Sequence, residues 1–164
     1  MSVDTIQKLF IDELKDLYSA ENQITKALPK LAKASSSEEL KAAFESHLKE
    51  TEEQIERLEQ VFKILEVSPR GKTCVGMKGL LEEGSEVLAD AEKGAIRDAA
   101  MISAAQRVEH YEMAGYGSVR TYAELLGKNE IVTLLEKTLE EEKSADRKLT
   151  KIASSVNKQA LRAA

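Results

Sequence analysis

The chain has 164 residues, 42% of them hydrophobic and 32% charged, with a net charge of −5. That length suits one domain with its own core and is short for two, so a single domain over residues 1–164 is expected. The acidic balance, with both signs interspersed, offers no basic surface to a phosphate backbone and argues against nucleic acid as a partner; few Gly (8) and Pro (2), no Trp and abundant Ala, Leu, Glu and Lys indicate an all-α protein.

The N-terminal MSVDTIQKLFIDEL carries acids where a signal peptide needs a positive start, and no apolar run reaches membrane-spanning length. A cytoplasmic chain without membrane association is expected. Ile6, Leu9, Phe10, Leu14, Leu17, Ile24, Leu28 and Leu31 recur at steps of three and four, which predicts an amphipathic helix over about 3–33, N-capped by Asp4 or Ser2. Pro29 predicts a kink in its last third. SSSEEL (35–40) supplies a turn and a Ser with Glu three residues later, the pattern of a capping box. A second helix, over about 37–66, follows on Leu40, Phe44, His47, Leu48, Ile55, Leu58, Val61, Phe62 and Leu65.

VSPRGKTCVG (67–76) breaks the pattern with Pro69, Gly71 and Gly76. In the connection that begins there, MKGLLEEGSEVLADAEKG predicts a shorter helix over about 77–92, ended by Gly94. Two more long helices are predicted, over about 95–126 with Gly127 as the stop and over about 129–154, before a charged, Ala-rich tail expected to fray. Two long helices, a long crossover holding a short helix, and two further long helices define a ferritin-like four-helix bundle. Cys74 is the one cysteine, which excludes an internal disulfide or a thiolate zinc site and leaves it a small buried residue.

Acids stand where apolar residues are expected. In RVEHYEMAGY (107–116), Glu109 projects among Ile102, Ala105, Met113, Tyr116 and Ala123, with Glu112 at the edge of that stripe. In the last helix Glu142 and Asp146 fall inside the stripe of Ile131, Leu135, Leu139, Leu149 and Ala153, whereas Glu140 and Glu141 point outward. Glu21 lies between Leu17 and Ile24, with Glu13 near the edge of the same stripe. Glu50 lies at the margin of a face with His47, Gln54 and Leu58. Each acid sits near mid-helix, so antiparallel packing brings them to one level. Two carboxylates about 4 Å apart repel by roughly 4 kcal/mol at an effective dielectric of about 20, so the group needs protons, cationic side chains or metal ions. Arg107 and Arg120 are too few to balance it. Metal is the economical answer, and oxygen-rich donors suit iron or manganese. No Glu-x-x-His pair occurs. His47 is a candidate ligand or supporting donor, His110 projects away, and Tyr18, Tyr111, Tyr116 and Tyr122 read chiefly as packing residues.

LYSAENQI (17–24), HLKETEEQIERL (47–58), RDAAMISAAQRVEHYEMAGYGS (97–118) and LEEEKSADRKL (139–149) resemble, in order, the bacterial YciE/YciF family of ferritin-like proteins. The resemblance implies a dimer, a link to stress responses and a rubrerythrin-like di-metal site of two iron or manganese ions. It assigns Glu21, Glu50, Glu109, Glu112 and Glu142 as ligands. Asp146 stands near the position of the last helix's usual His or Glu, and Gln54 is its counterpart in the second helix. Two functions are therefore expected. One is a redox or iron-handling protein with peroxide or dioxygen as partner; the other is a structural bundle that dimerises and binds metal weakly or not at all. A spherical storage cage has no support in any assembly contact.

Overall fold

Five helices follow one another, with no strand among the described residues: α1 (Ile6–Ala34), α2 (Glu38–Ile64), α3 (Val75–Asp90), α4 (Ala95–Leu125) and α5 (Asn129–Ala163). This computed structural model describes residues 3–163. Thr5, not an acid, starts α1: its hydroxyl accepts from the Lys8 N–H. Asp4 pairs instead with the Lys8 ammonium at 2.7 Å, and Ser2 lies outside the described residues. Ser37 caps α2 through the Leu40 N–H. Because the third residue of that helix is Leu40, the expected capping box does not form. A distant carboxylate takes over, since buried Asp98 on α4 accepts from the Ser36 and Ser37 N–H groups at 2.9 and 2.7 Å.

Two helices stop by the same device. After α4, the Gly127 N–H reaches the Glu124 carbonyl and the Lys128 N–H the Ala123 carbonyl, with Gly127 at φ 67°. That is a Schellman ending at the glycine expected to stop the helix. After α2, Glu66 and Val67 make the matching bonds to Lys63 and Phe62, but the left-handed position, at φ 54°, is a glutamate. The last helix continues to Ala163, past the expected end at 154. Ile152 and Val156 are buried in the core and keep it packed.

The helices form a ferritin-like bundle: α1 packs on α2 and α4 on α5, the pairs join through α2–α5 and α1–α4, and crossover helix α3 lies on α4 and α1. The apolar core falls into two clusters. One holds Ile24, Leu28, Phe44, Met101, Val108 and Leu149; the other holds Phe10, Leu17, Leu58, Tyr116, Leu135 and Leu139. On every long helix the buried residues between them are polar: Glu21 on α1, His47, Thr51 and Gln54 on α2, Glu109 and Glu112 on α4, and Glu142 on α5. The order in which each helix meets the two clusters makes α1 antiparallel to α2 and α4 antiparallel to α5. That topology stacks the mid-helix acids in one layer.

Candidate metal centre

One ligand atom from each of His47, Glu109, Glu112 and Glu142 lies within 4.8 Å of the others, and all four residues are buried. His47 Nε2 stands 3.2 Å from Glu109 Oε1 and 3.8 Å from Glu142 Oε2. Glu50 Oε2, on the other side of the ring, is 3.4 Å from His47 Nδ1. Glu109 and Glu112 share a face of α4 because residues three apart lie one turn along the same side. Glu21 joins from α1, its Oε1 accepting from the Tyr116 hydroxyl.

These acids do not share one protonation state. Burial raises Glu21 to about 7, against the bond from Tyr116. Burial and the neighbouring carboxylates of Glu21, Glu142 and Glu109 push Glu112 well above the usual carboxylate range, and burial with the contact to Glu109 does the same to Glu142. Burial would also raise Glu109, but the His47 imidazolium brings it below its ordinary value. Conversely, burial opposes charge on His47, yet Glu109, Glu50 and Glu142 together hold the ring's pKa well up. Without an ion, the layer keeps itself near neutrality with protons.

The donor set fits a metal ion. Both oxygens of Glu112 and of Glu142, one of Glu21 and one of Glu109, and His47 Nε2 are buried without a hydrogen-bond partner. Such atoms cost roughly 1–3 kcal/mol each when left unpaired, and an ion surrounded by them would satisfy several at once. Carboxylate oxygens with one imidazole suit iron or manganese.

The expected residues separate into groups. His47, expected as a ligand or a supporting donor, stands in the four-residue group, whereas Glu50 stays at its edge with 43% of its side chain exposed. Glu112 is wholly buried rather than marginal. Asp146 is outside the group: its Oδ1 accepts from Gln106 and lies 3.6 Å from the exposed His110. Buried Gln54 donates to Glu141, and its own Oε1 is unpartnered. Glu141 does not point freely outward, because Arg57 grips it with two bonds of 2.8 Å while also donating to Thr138. Arg57 went unnoticed in the sequence, although its place three residues after Gln54 on an inward face was a signal. Arg120 pairs with Glu124 and Glu136 and Arg107 is exposed. Tyr116, read as packing, is a hydrogen-bond donor to the layer. Cys74 is buried as expected and also caps α3, its Sγ accepting from the Met77 N–H and lying 3.0 Å from both Asp16 and Tyr111.

Four long helices closing on a buried histidine–carboxylate group define a ferritin-like protein with a candidate metal centre. The chain belongs to the family described as a domain of unknown function, DUF892, which it matches over residues 5–162. It is 51% identical over 162 residues to Protein YciF of Escherichia coli (strain K12), covering 98% of both chains. The crystal structure of the E. coli stress protein YciF matches with a TM-score of 0.92 at 49% identity, over 96% of this chain and 99% of that one. YcfI of Rhodopseudomonas palustris, for which a structural role has been suggested, matches with a TM-score of 0.86 at 45% identity, over 92% and 97%. A Xanthomonas campestris protein at 21% identity, with a TM-score of 0.79, shares the fold. The resemblance to YciF thus holds along nearly the whole chain. No helix among the described residues is long and apolar enough to cross a membrane.

Proposed function

We propose that this protein is a di-metal carboxylate protein, taking iron or manganese at the buried layer and serving a stress-related redox or iron-handling role. The supporting observation is that Glu112 and Glu142, both wholly buried, leave all their carboxylate oxygens unpartnered. His47, Glu109, Glu112 and Glu142 would hold one ion, and Glu21 beside Glu112 would extend the set toward a second. Glu50 at Nδ1 would orient the imidazole, Gln54 would support the layer from α2, and Asp146 would join only by releasing Gln106. Bound iron or manganese supplies redox capacity and a Lewis acid for peroxide or dioxygen. The chain's own residues exclude water, fix the donors on four rigid helices, and keep a proton within reach at Glu21. The likeness to the E. coli stress protein YciF supports a role in a stress response, and a cytoplasmic homodimer is proposed with it.

Metal analysis of the full chain purified without chelator, beside the Glu109→Ala/Glu142→Ala variant, tests this. Stoichiometric iron or manganese in the wild type and its loss in the variant are expected. Equal, substoichiometric amounts in both would overturn the proposal.

One observation favours a second reading. His47 sits within 3.2 and 3.8 Å of two carboxylates, so an imidazolium and shared protons can balance the layer without an ion. A structural bundle would then suffice, in line with the role suggested for YcfI, and the same metal analysis decides between the two.

A further inference from the structure

Two hollows lie along α1 and meet at Gln23 and Lys26. One, of about 270 Å³, is bounded by α1, α3 and α4; its bed is apolar, from Ala27, Leu31, Leu81, Leu88, Ala104 and Val108, with Lys30 also lining it. The other, of about 380 Å³, lies between α1 and the loop before α3, and Lys15, Lys26, Arg70 and Lys72 line it. A Cβ on Gly71 would stand 2.7 Å from that of Lys15. Glycine therefore lets the loop lie against α1 and brings Arg70 and Lys72 into one hollow with Lys15.

Charge sets this trough apart from the rest of the surface. Asp and Glu make up 29 of the 164 residues, yet none lines either hollow, whereas five cations do. None of the five makes an ion pair among the described residues, although the surface cations Lys8, Lys78, Arg120, Lys137 and Lys143 all do. Asp12 and Asp16 stand in the next hollow, which Lys15 and Lys72 also border, but Asp16 Oδ2 already accepts from Tyr111 and Cys74. The apolar half is also incompletely covered. Met77 is the one buried hydrophobic side chain of α3, and Leu80, Leu81 and Leu88 stay half-buried.

The occupant follows from this change of character along α1. A phosphate carries between one and two negative charges at neutral pH and accepts two bonds from a guanidinium fork, so it suits the cationic half better than a singly charged carboxylate. An alkyl chain gains by leaving water for the apolar half. An inorganic anion would use only the first half and a neutral hydrocarbon only the second. A bilayer fits poorly, because the apolar bed is concave and Ala104 and Val108 at its floor are buried.

We infer that this trough is a binding site for a single-chain amphiphile with a phosphate head, the head among Lys26, Lys30 and Arg70 and the chain against Leu31, Leu81, Leu88 and Val108. It shares no residue with the carboxylate layer and does not depend on an ion there.

The test is methyl NMR on the full chain titrated with octyl phosphate as a monomer, below its micellar concentration. Saturable shifts are expected, with intermolecular contacts from the alkyl chain to the Leu81 and Leu88 methyl groups, and decyl phosphate should bind more tightly by about fourfold per added methylene. Inorganic phosphate, octanol and octyltrimethylammonium should each bind at least about tenfold more weakly than octyl phosphate, and octanoate about threefold. Lys26→Ala/Lys30→Ala, at two exposed helix positions, should weaken binding about fivefold, as two surface ion pairs allow. A Cβ on Gly84 would meet nothing nearer than 3.8 Å, so Gly84→Phe is accommodated and fills the apolar half. That variant should abolish the shifts while the helical circular dichroism persists, and the wild-type contacts decide the matter even if it fails to fold. Non-saturable shifts, contacts elsewhere on the molecule, any of the comparison compounds binding as tightly as octyl phosphate, or binding to phosphatidylglycerol vesicles without binding of the monomer would overturn the assignment.

Discussion

Tyr116, wholly buried on α4, donates its hydroxyl to Glu21 Oε1 on α1 and so joins the apolar cluster of Phe10, Leu17 and Leu58 to the carboxylate layer. This is the bond that favours the charged form of Glu21 against its burial. Replacing Tyr116 with Phe keeps the ring and removes only the donor. We expect a loss of about 1–3 kcal/mol in urea unfolding at neutral pH and a further rise in the Glu21 titration midpoint, read by carboxyl-carbon NMR. An unchanged midpoint would show that the bond does not govern this carboxylate.

The layer makes the metal-free protein sensitive to pH in an unusual direction. A carboxyl whose folded pKa is raised binds more protons in the native state, so stability falls as pH climbs from 4.5 through about 7 at Glu21. Glu112 and Glu142 act in the same direction. His47, raised above 6.5, gives a contribution that is full below that pH and is lost as pH passes its folded value. Glu109, lowered, gives a contribution present above 4.5 and lost only as pH falls through its folded value, so it is constant in this window. Urea unfolding after chelation should therefore show stability dropping between pH 4.5 and 7, on the order of 3 kcal/mol for a shift like that of Glu21 alone. A flat or rising profile would contradict the arrangement.

Glu112→Gln separates ligand from burden. The amide keeps the shape and mimics the protonated carboxyl that burial and three neighbouring carboxylates favour. We expect the metal-free variant to match or exceed wild-type stability at neutral pH. We also expect it to lose most of the thermal stabilisation that manganese gives the wild type, because binding to the native state alone is what raises the melting temperature. A variant that still responds fully to manganese would remove Glu112 from the ligand set.

Glu66 occupies a left-handed backbone position, at φ 54°, in a helix ending that glycine fills after α4. Glu66→Gly should stabilise the protein by about 1 kcal/mol, because it relieves the clash between Cβ and the carbonyl. The urea midpoint should rise without a change in slope. A lower midpoint would mean that the glutamate side chain makes a contribution larger than the strain.

Arg57 is buried, yet it holds Glu141 and Thr138 through its planar fork. Lysine retains the charge but not the two-pronged geometry. Arg57→Lys should cost about 2 kcal/mol, less than the 3–5 kcal/mol of a wholly buried broken pair, since Glu141 keeps 22% of its side chain in water. Denaturation by urea reads this directly, and a neutral result would make the pair an incidental surface contact.

The helices and their order were legible because apolar steps of three and four, Gly127 and the 67–76 breaker are local features that neighbours rarely override. The inward acids were legible for the same reason: Glu21, Glu109 and Glu142 sit inside stripes whose phase is set by many residues. On the same α5, projection did not give the partners of two other acids. Glu141, read as outward, turned toward Arg57, and Asp146, read as inward, went to Gln106. Glu141 lies outside the stripe but is reached by the long Arg57 side chain of α2, and Asp146 lies inside it but opposite Gln106 of α4.

Sequence alone determined the all-helical bundle, its crossover and the presence of carboxylates on inner faces, because periodicity and capping act over a few residues of one chain segment. Only the tertiary structure decided that His47 rather than Asp146 completes the group, that Asp98 closes the α1–α2 turn, and that a trough runs along α1. Those outcomes depend on the rotation of each helix against its neighbours, and packing among residues far apart in the chain sets that rotation.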